Sequence, residues 1–188
     1  MNVPYTKLAG IAIEWGILMS SKINFPIGPD EAKRLRLLQA SGFANSLIMP
    51  ELDALCEDAK TNFDVKFSTI SLLTEELQII KAKAGIDVES TPRDVAFCNY
   101  TILTDQNFVV LDATKDARFS NNPLVVGNPH IRFYAGAPLI YVDNIRLGAF
   151  CLIDTAPREK FTLGDQAELS EYAERASYLL IKQLRFTA

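Results

Sequence analysis

The chain has 188 residues, 48% of them hydrophobic and 22% charged, with a formal net charge of -4. This size and composition predict one domain with a substantial core and exclude a disordered polymer, and charges of both signs are interspersed without a basic stripe, which excludes nucleic acid as a partner. Cys56, Cys98 and Cys151 form neither a CxxC pair nor a Cys/His cluster, so no metal site is expected, and reduced thiols in a cytoplasmic protein are.

The first apolar stretch, LAGIAIEWGILM (8–19), is interrupted by Glu14. It falls short of the roughly 20 residues that cross a bilayer, so no membrane span is expected, and no signal-peptide cleavage site follows it. Residues 1–27 read as an N-terminal extension, with 1–18 either an upstream over-extension or a short docking helix. A first helix is predicted in 27–42, with Pro29 and two acids at its start and Gly42 at its end. In 50–63 the helical stripe Leu52, Leu55, Cys56, Ala59 and Phe63 predicts a second helix with Cys56 facing the core.

Strands are predicted at 66–74 and 77–85, joined at Glu75-Glu76 as a hairpin. Thr91 as an N-cap, Pro92 at the first helical position and Asp94 predict a helix over 90–103, and FVVLD (108–112) reads as a further strand. From Ala113 to Arg132 the chain has turn residues and no sustained period, a connection far longer than the usual 4–6 residues and of the kind that forms lids. FYAGAPLIYV (133–142) and IRLGAFCLI (145–153) flank Asp143-Asn144 as a second hairpin, apolar on both faces and hence central. Thr162 and Asp165 cap a last helix running to about Arg185. Its near-heptad Leu169, Ala173, Ala176, Leu180 and Leu184 predict a homodimer seam. The element order gives an α+β fold.

The segment 91–158, from TPRDVAFCNY through HIRFYAGAPL to LIDTAPR, preceded by DEAKRLRLLQASG (30–42), resembles bacterial GAF sensor domains of the kind found beside histidine kinases and diguanylate cyclases. The resemblance implies a GAF-like mixed, largely antiparallel sheet, flanked by helices on both faces, over residues 28–188. It also implies a pocket roofed by residues 93–101 and 113–132, and dimerisation through the helices of the other face. Similar domains usually read Phe-Cys-Ala-His where this chain has Phe97-Cys98-Asn99-Tyr100, which argues against bilin attachment; the Asn-Lys-x-Phe-Asp-Glu signature of cyclic-nucleotide-binding relatives is absent.

The ligand-pocket candidates are Phe97, Cys98, Tyr100, Arg118, Phe119, Arg132, Phe133 and Tyr134, with Asn121 or Asn122 as additional polar contacts. Arg132 either clamps an anionic ligand or, the favoured reading, forks onto Asp112, Asp116 or Asp154 and pins the long loop. Strand alternation allows only one of Phe133 and Tyr134 to face the pocket. His130, the only histidine, reads as a solvated loop residue. Cys98 and Cys151 read as buried structural thiols because no activating base stands near them in sequence, although free-methionine-sulfoxide reductases are GAF proteins that use cysteine chemistry.

Three functions follow as expectations. The first is a non-catalytic sensory domain that binds an unidentified small molecule and signals through a homodimer or to a kinase or cyclase partner in trans. The second is an interaction module with a filled, inert pocket, and the third a thiol redox enzyme on Cys98 and Cys151. No catalytic residue and no particular cofactor is assigned.

Overall fold

Backbone pairing organises the chain around a six-stranded sheet in a computed structural model that describes residues 25–45 and 49–184. The strands are β1 (Phe67–Leu73), β2 (Leu77–Ala84), β3 (Ser90–Pro92), β4 (Phe108–Val110), β5 (Phe133–Ile140) and β6 (Arg146–Asp154). Their order is β3-β2-β1-β6-β5-β4, and every neighbouring pair is antiparallel. The expected largely antiparallel sheet is thus antiparallel throughout. Both hairpins form where turn chemistry places them. Thr74 closes the first, its backbone N–H donating to the Leu77 carbonyl and its hydroxyl accepting from the Leu77 N–H. In the second, Asp143 and Asn144 have φ of 54° and 58°, the pair of left-handed residues that a two-residue turn between twisted strands requires.

Five helices are present among the described residues: α1 (Glu31–Ser41), α2 (Pro50–Asn62), α3 (Cys98–Thr101), α4 (Pro123–Val126) and α5 (Leu163–Leu184). Gly42 ends α1 in the left-handed region with φ of 67°, and the Thr162/Asp165 box caps α5 reciprocally. The main core lies between one sheet face and α2 and α5, where Leu52, Leu55, Cys56, Ala59 and Phe63 meet Ile70, Leu72, Phe150 and Leu152. The opposite face carries a second cluster under α3, α4 and the 113–132 connection.

Three expectations are corrected. Leu169, Ala173, Ala176 and Leu180 are all at most 3% exposed and belong to the main core, so they cover the chain's own sheet and are not a dimer seam. The Leu184 side chain, Arg185 and the stretch 1–24, with its extension or docking helix, lie outside the described residues. The helix expected over 90–103 is instead an edge strand, a 3-10 turn (Arg93–Val95) and the single turn α3. Ser90–Pro92 pairs with Leu77–Ile79, and that non-local ladder overrides the local capping pattern; Pro92 fits because it sits on the sheet edge. Finally, the 113–132 connection is not structureless. The Ala113 N–H donates to the Arg132 carbonyl at 2.7 Å, and Asn122 caps α4 while donating to the Val95 carbonyl. No described helix is long and apolar enough to cross a membrane.

Candidate functional site

The second face of the sheet is covered by aromatic rings. Phe97, just before α3, stacks on Phe119 from the long connection, with centroids 4.0 Å apart and planes within 6°. Tyr134 of β5 lies 5.2 Å from Phe97, Tyr100 stacks on Phe108 at 5.4 Å, and Tyr100 meets Phe119 edge-on at 5.0 Å. Phe97, Phe119 and Tyr134 are each at most 3% exposed. Arg118 lies over this group, its guanidinium 4.7 Å from the Phe108 ring centre and ion-paired to Asp116. Hydrogen bonding to Asp116 raises the Arg118 pKa above its ordinary value. The roof is therefore closed by the chain's own side chains.

Beneath it the floor is polar. β1 sends Ile70 and Leu72 to the main core, so alternation turns Thr69 and Ser71 towards the aromatic face. Their hydroxyls are buried without an oxygen or nitrogen partner, and Ser71 lies against the Cys98 thiol and Thr69 against that of Cys151, each acting to lower its thiol's pKa. Thr69 stands opposite Cys151 in the ladder. The sulfurs of Cys98 and Cys151 are 3.2 Å apart, and the Tyr134 hydroxyl, 3.4 Å from each, donates to Cys98. That leaves the Thr101 hydroxyl to donate to the Tyr134 oxygen at 2.7 Å. A β-carbon at Gly136 would stand 2.3 Å from the Tyr134 oxygen and 2.6 Å from that of Thr101, so the pair depends on glycine there. Burial pushes the Tyr134 and Cys151 pKa values well up, whereas the hydrogen bond with Cys151 holds Cys98 below its ordinary value.

The end of this face is clamped by a buried ionic network. Arg93, 2% exposed, donates through Nη1 to Glu31 at 2.6 Å and to the Thr74 carbonyl, and through Nε to Asn99. Arg34, 4% exposed, forks onto the same Glu31 and reaches the Leu73 carbonyl. Burial alone would raise the Glu31 carboxyl, but hydrogen bonds from Arg34 and Arg93 outweigh it and lower its pKa from 4.5 to about 2. Asn99 returns two donors to the Arg93 and Ala96 carbonyls, fixing the entry to α3. Beside this network a hollow of about 20 Å³, bordered by Glu31, Arg34, Ile102 and Arg146, has room for about one water.

Of the eight candidates, the structure brings Phe97, Cys98, Phe119 and Tyr134 into one cluster, with Tyr100 and Arg118 at its rim. Phe133 points to the opposite core, where Phe161 and Arg158 lie against its ring, so it is not a pocket residue. Arg132 makes no carboxylate fork. Its Nη1 donates to the Val125 and Ile131 carbonyls, while Asp112 takes Lys115, Asp116 takes Arg118 and Asp154 caps Thr155. Asn122 is structural through its cap, and His130 is exposed with φ of 62°. No group of three or more His, Cys, Asp or Glu suited to a metal occurs among the described residues. Thr69, Ser71, Thr101 and the Glu31–Arg34–Arg93–Asn99 network were not among the candidates. A polar alternation inside the apolar strand FSTISLL was the one visible signal for the first two.

An antiparallel sheet with helices on one face and a short helix and long connection closing the other defines a layered α+β domain. The GAF domain family matches residues 50–180, and the chain belongs to that family. A cyclic di-GMP phosphodiesterase of Pseudomonas aeruginosa is 37% identical over 148 residues, which are 79% of this chain and 25% of that protein. The chain thus spans about a quarter of the curated relative it matches. Among solved structures, a type II free methionine-R-sulfoxide reductase from Thermoplasma acidophilum aligns over 76% of this chain and 95% of its own, with TM-score 0.59 and 16% identity. The GAF domain of an Acinetobacter phosphoenolpyruvate-protein phosphotransferase aligns over 83% and 96%, with TM-score 0.57 and 16% identity. At these identities the structural likeness is one of fold.

Proposed function

We propose that this chain is a non-catalytic sensory GAF domain whose pocket is closed in the present state by Phe97 and Phe119 and opens to a small polar molecule. The observation that carries the reading is the floor. Two buried hydroxyls, of Thr69 and Ser71, have only thiol sulfur, a weak acceptor, to bond beneath the rings, so each keeps part of the about 1–3 kcal/mol that an unsatisfied buried group costs in a permanently closed core. A ligand with hydrogen-bonding groups would relieve both. To reach them it must displace Phe119, which moves the 113–132 connection. A cytoplasmic location and signalling to a kinase, cyclase or phosphodiesterase partner, by contact in trans or within a homodimer, belong to the same proposal. Any dimer seam must lie elsewhere than the Leu169–Leu180 stripe.

The ring packing favours a second reading, an interaction module whose pocket stays filled. Native mass spectrometry of the chain purified from the cells that produce it, beside Phe119→Ala, separates the two. The sensory reading expects a retained small molecule, or one captured by the opened variant from a metabolite extract. Neither form retaining or capturing anything would overturn it in favour of the filled module. Phe119→Ala itself should cost about 3–5 kcal/mol of stability, as deletion of a buried aromatic does.

A further inference from the structure

We propose that Cys98 and Cys151 are a redox modification site, closed to a disulfide by a small hydroperoxide, and that the bond acts on the aromatic roof through Phe97. The argument begins with placement. The two residues are 53 apart in the chain, one opening α3 and the other in the middle of β6, yet their sulfurs stand 3.2 Å apart. Bond formation would close that gap by roughly 1 Å. β6 is paired on both sides, to β1 and β5, whereas α3 is a single turn, so the movement falls on α3. Phe97 precedes Cys98 directly and is stacked on Phe119, so a pull on α3 is felt in the stack that closes the site. The Tyr134 hydroxyl would at the same time lose the thiols it now bridges.

The two sulfurs are not equivalent. Cys98 stands on the single turn α3, is 2% exposed and accepts a hydrogen bond from the Tyr134 hydroxyl, which favours its thiolate, whereas Cys151 is fully buried in the doubly paired β6; Cys98 is therefore the attacking sulfur and Cys151 the resolving one. In the first step the Cys98 thiolate attacks the outer oxygen of the hydroperoxide and the O–O bond breaks. The alcohol, or water in the case of hydrogen peroxide, leaves with the thiol proton, and Cys98 becomes a sulfenic acid. In the second step the Cys151 sulfur attacks the Cys98 sulfur and the S–O bond breaks. Water leaves with the Cys151 proton. Two thiols have then given up two electrons, and one hydroperoxide has been reduced to an alcohol and water. Both cysteines are at most 2% exposed, so only a small oxidant admitted by local opening of the 113–132 connection reaches them. Cys56 is an internal control. It is buried in the other core, and burial pushes its thiol up to about 12.

The test uses the full chain, fully reduced and then exposed to hydrogen peroxide. Thiols are alkylated in denaturant and peptides mapped without reduction. The expected result is a single cross-linked pair, Cys98 to Cys151, lacking two hydrogens and reversed by dithiothreitol. Cys56 stays free and reacts at least about tenfold more slowly, as a protonated buried thiol does. The near-ultraviolet circular dichroism of the aromatic cluster should change with the bridge and recover on reduction. Cys151→Ser should leave a sulfenic acid on Cys98 that dimedone traps, and Cys98→Ser should leave Cys151 unmodified; the mapping of the unsubstituted chain stands without either variant. Equal oxidation of all three cysteines, or a bridge that appears only in denaturant, would overturn the site. A bridge that leaves the aromatic signal unchanged would overturn its action on the roof.

Discussion

Glu31→Gln removes one charge and almost no volume from the clamp that holds α1 to the sheet end, and it tests whether that clamp is electrostatic. The carboxylate accepts hydrogen bonds from Arg34 and from Arg93, whose guanidinium groups are both buried. A carboxyl held at about 2 rather than 4.5 corresponds to at most about 3 kcal/mol of charge-dependent stability. Water reaching the 15% of the side chain that is exposed screens part of it, leaving about 1–2 kcal/mol. Gln mimics the protonated acid, so the loss of the counter-charge by the two buried guanidinium groups is this same quantity, and the expected loss at pH 7 is about 1–2 kcal/mol. The sign with pH follows from a depressed carboxyl. Its contribution is complete above about pH 4.5 and is lost as pH falls towards 2. Urea unfolding from pH 7 to pH 2 should therefore show two curves well separated above pH 5 that converge in acid. A variant within about 0.5 kcal/mol of the parent at pH 7, the range of an ordinary surface change, would refute the reasoning. So would a gap that persists unchanged to pH 2.

Leu180→Glu, which places a charge in the main core and not at a subunit seam, should unfold the chain; a well-folded variant of lower mass in light scattering with circular dichroism would restore the seam. Arg132→Met should cost about 1.5–3 kcal/mol, the size of a hydrogen bond from a charged donor, rather than the 3–5 kcal/mol of a broken buried ion pair. Hydrogen exchange should place that loss at 124–132, and an effect confined to ligand affinity would contradict it.

Elements whose signals are local were legible in the sequence. Thr162 with Asp165, Gly42 and Asp143-Asn144 each act within a few residues of themselves, and each does what its chemistry predicts. The failures are non-local. Thr91 and Pro92 carry a correct helix-start pattern, yet β2 offers Ser90–Pro92 a ladder that no local rule registers. The stripe Leu169–Leu180 has a spacing that suits a coiled coil and a sheet-covering helix equally, since periodicity says a face is apolar and not what covers it. The candidate site was legible in part. Phe97, Phe119 and Tyr134 were found, but Glu31 and Arg93 are 62 residues apart, and no spacing rule could pair them.

On the proposed sensory reading, the stack of Phe119 on Phe97 would act as an inhibitor tethered inside its own site. Burying one phenylalanine is worth about 1.5–3 kcal/mol, so a conformation with that ring swung out is populated at roughly one part in ten to one in a hundred or so. Any molecule that binds only this open form has its apparent affinity lowered by the same factor. The sharpness of its response is then set as much by the 113–132 connection as by contacts to the molecule itself. A substitution that loosens this ring without touching the floor would raise apparent affinity for every such molecule together, leaving selectivity among them unchanged.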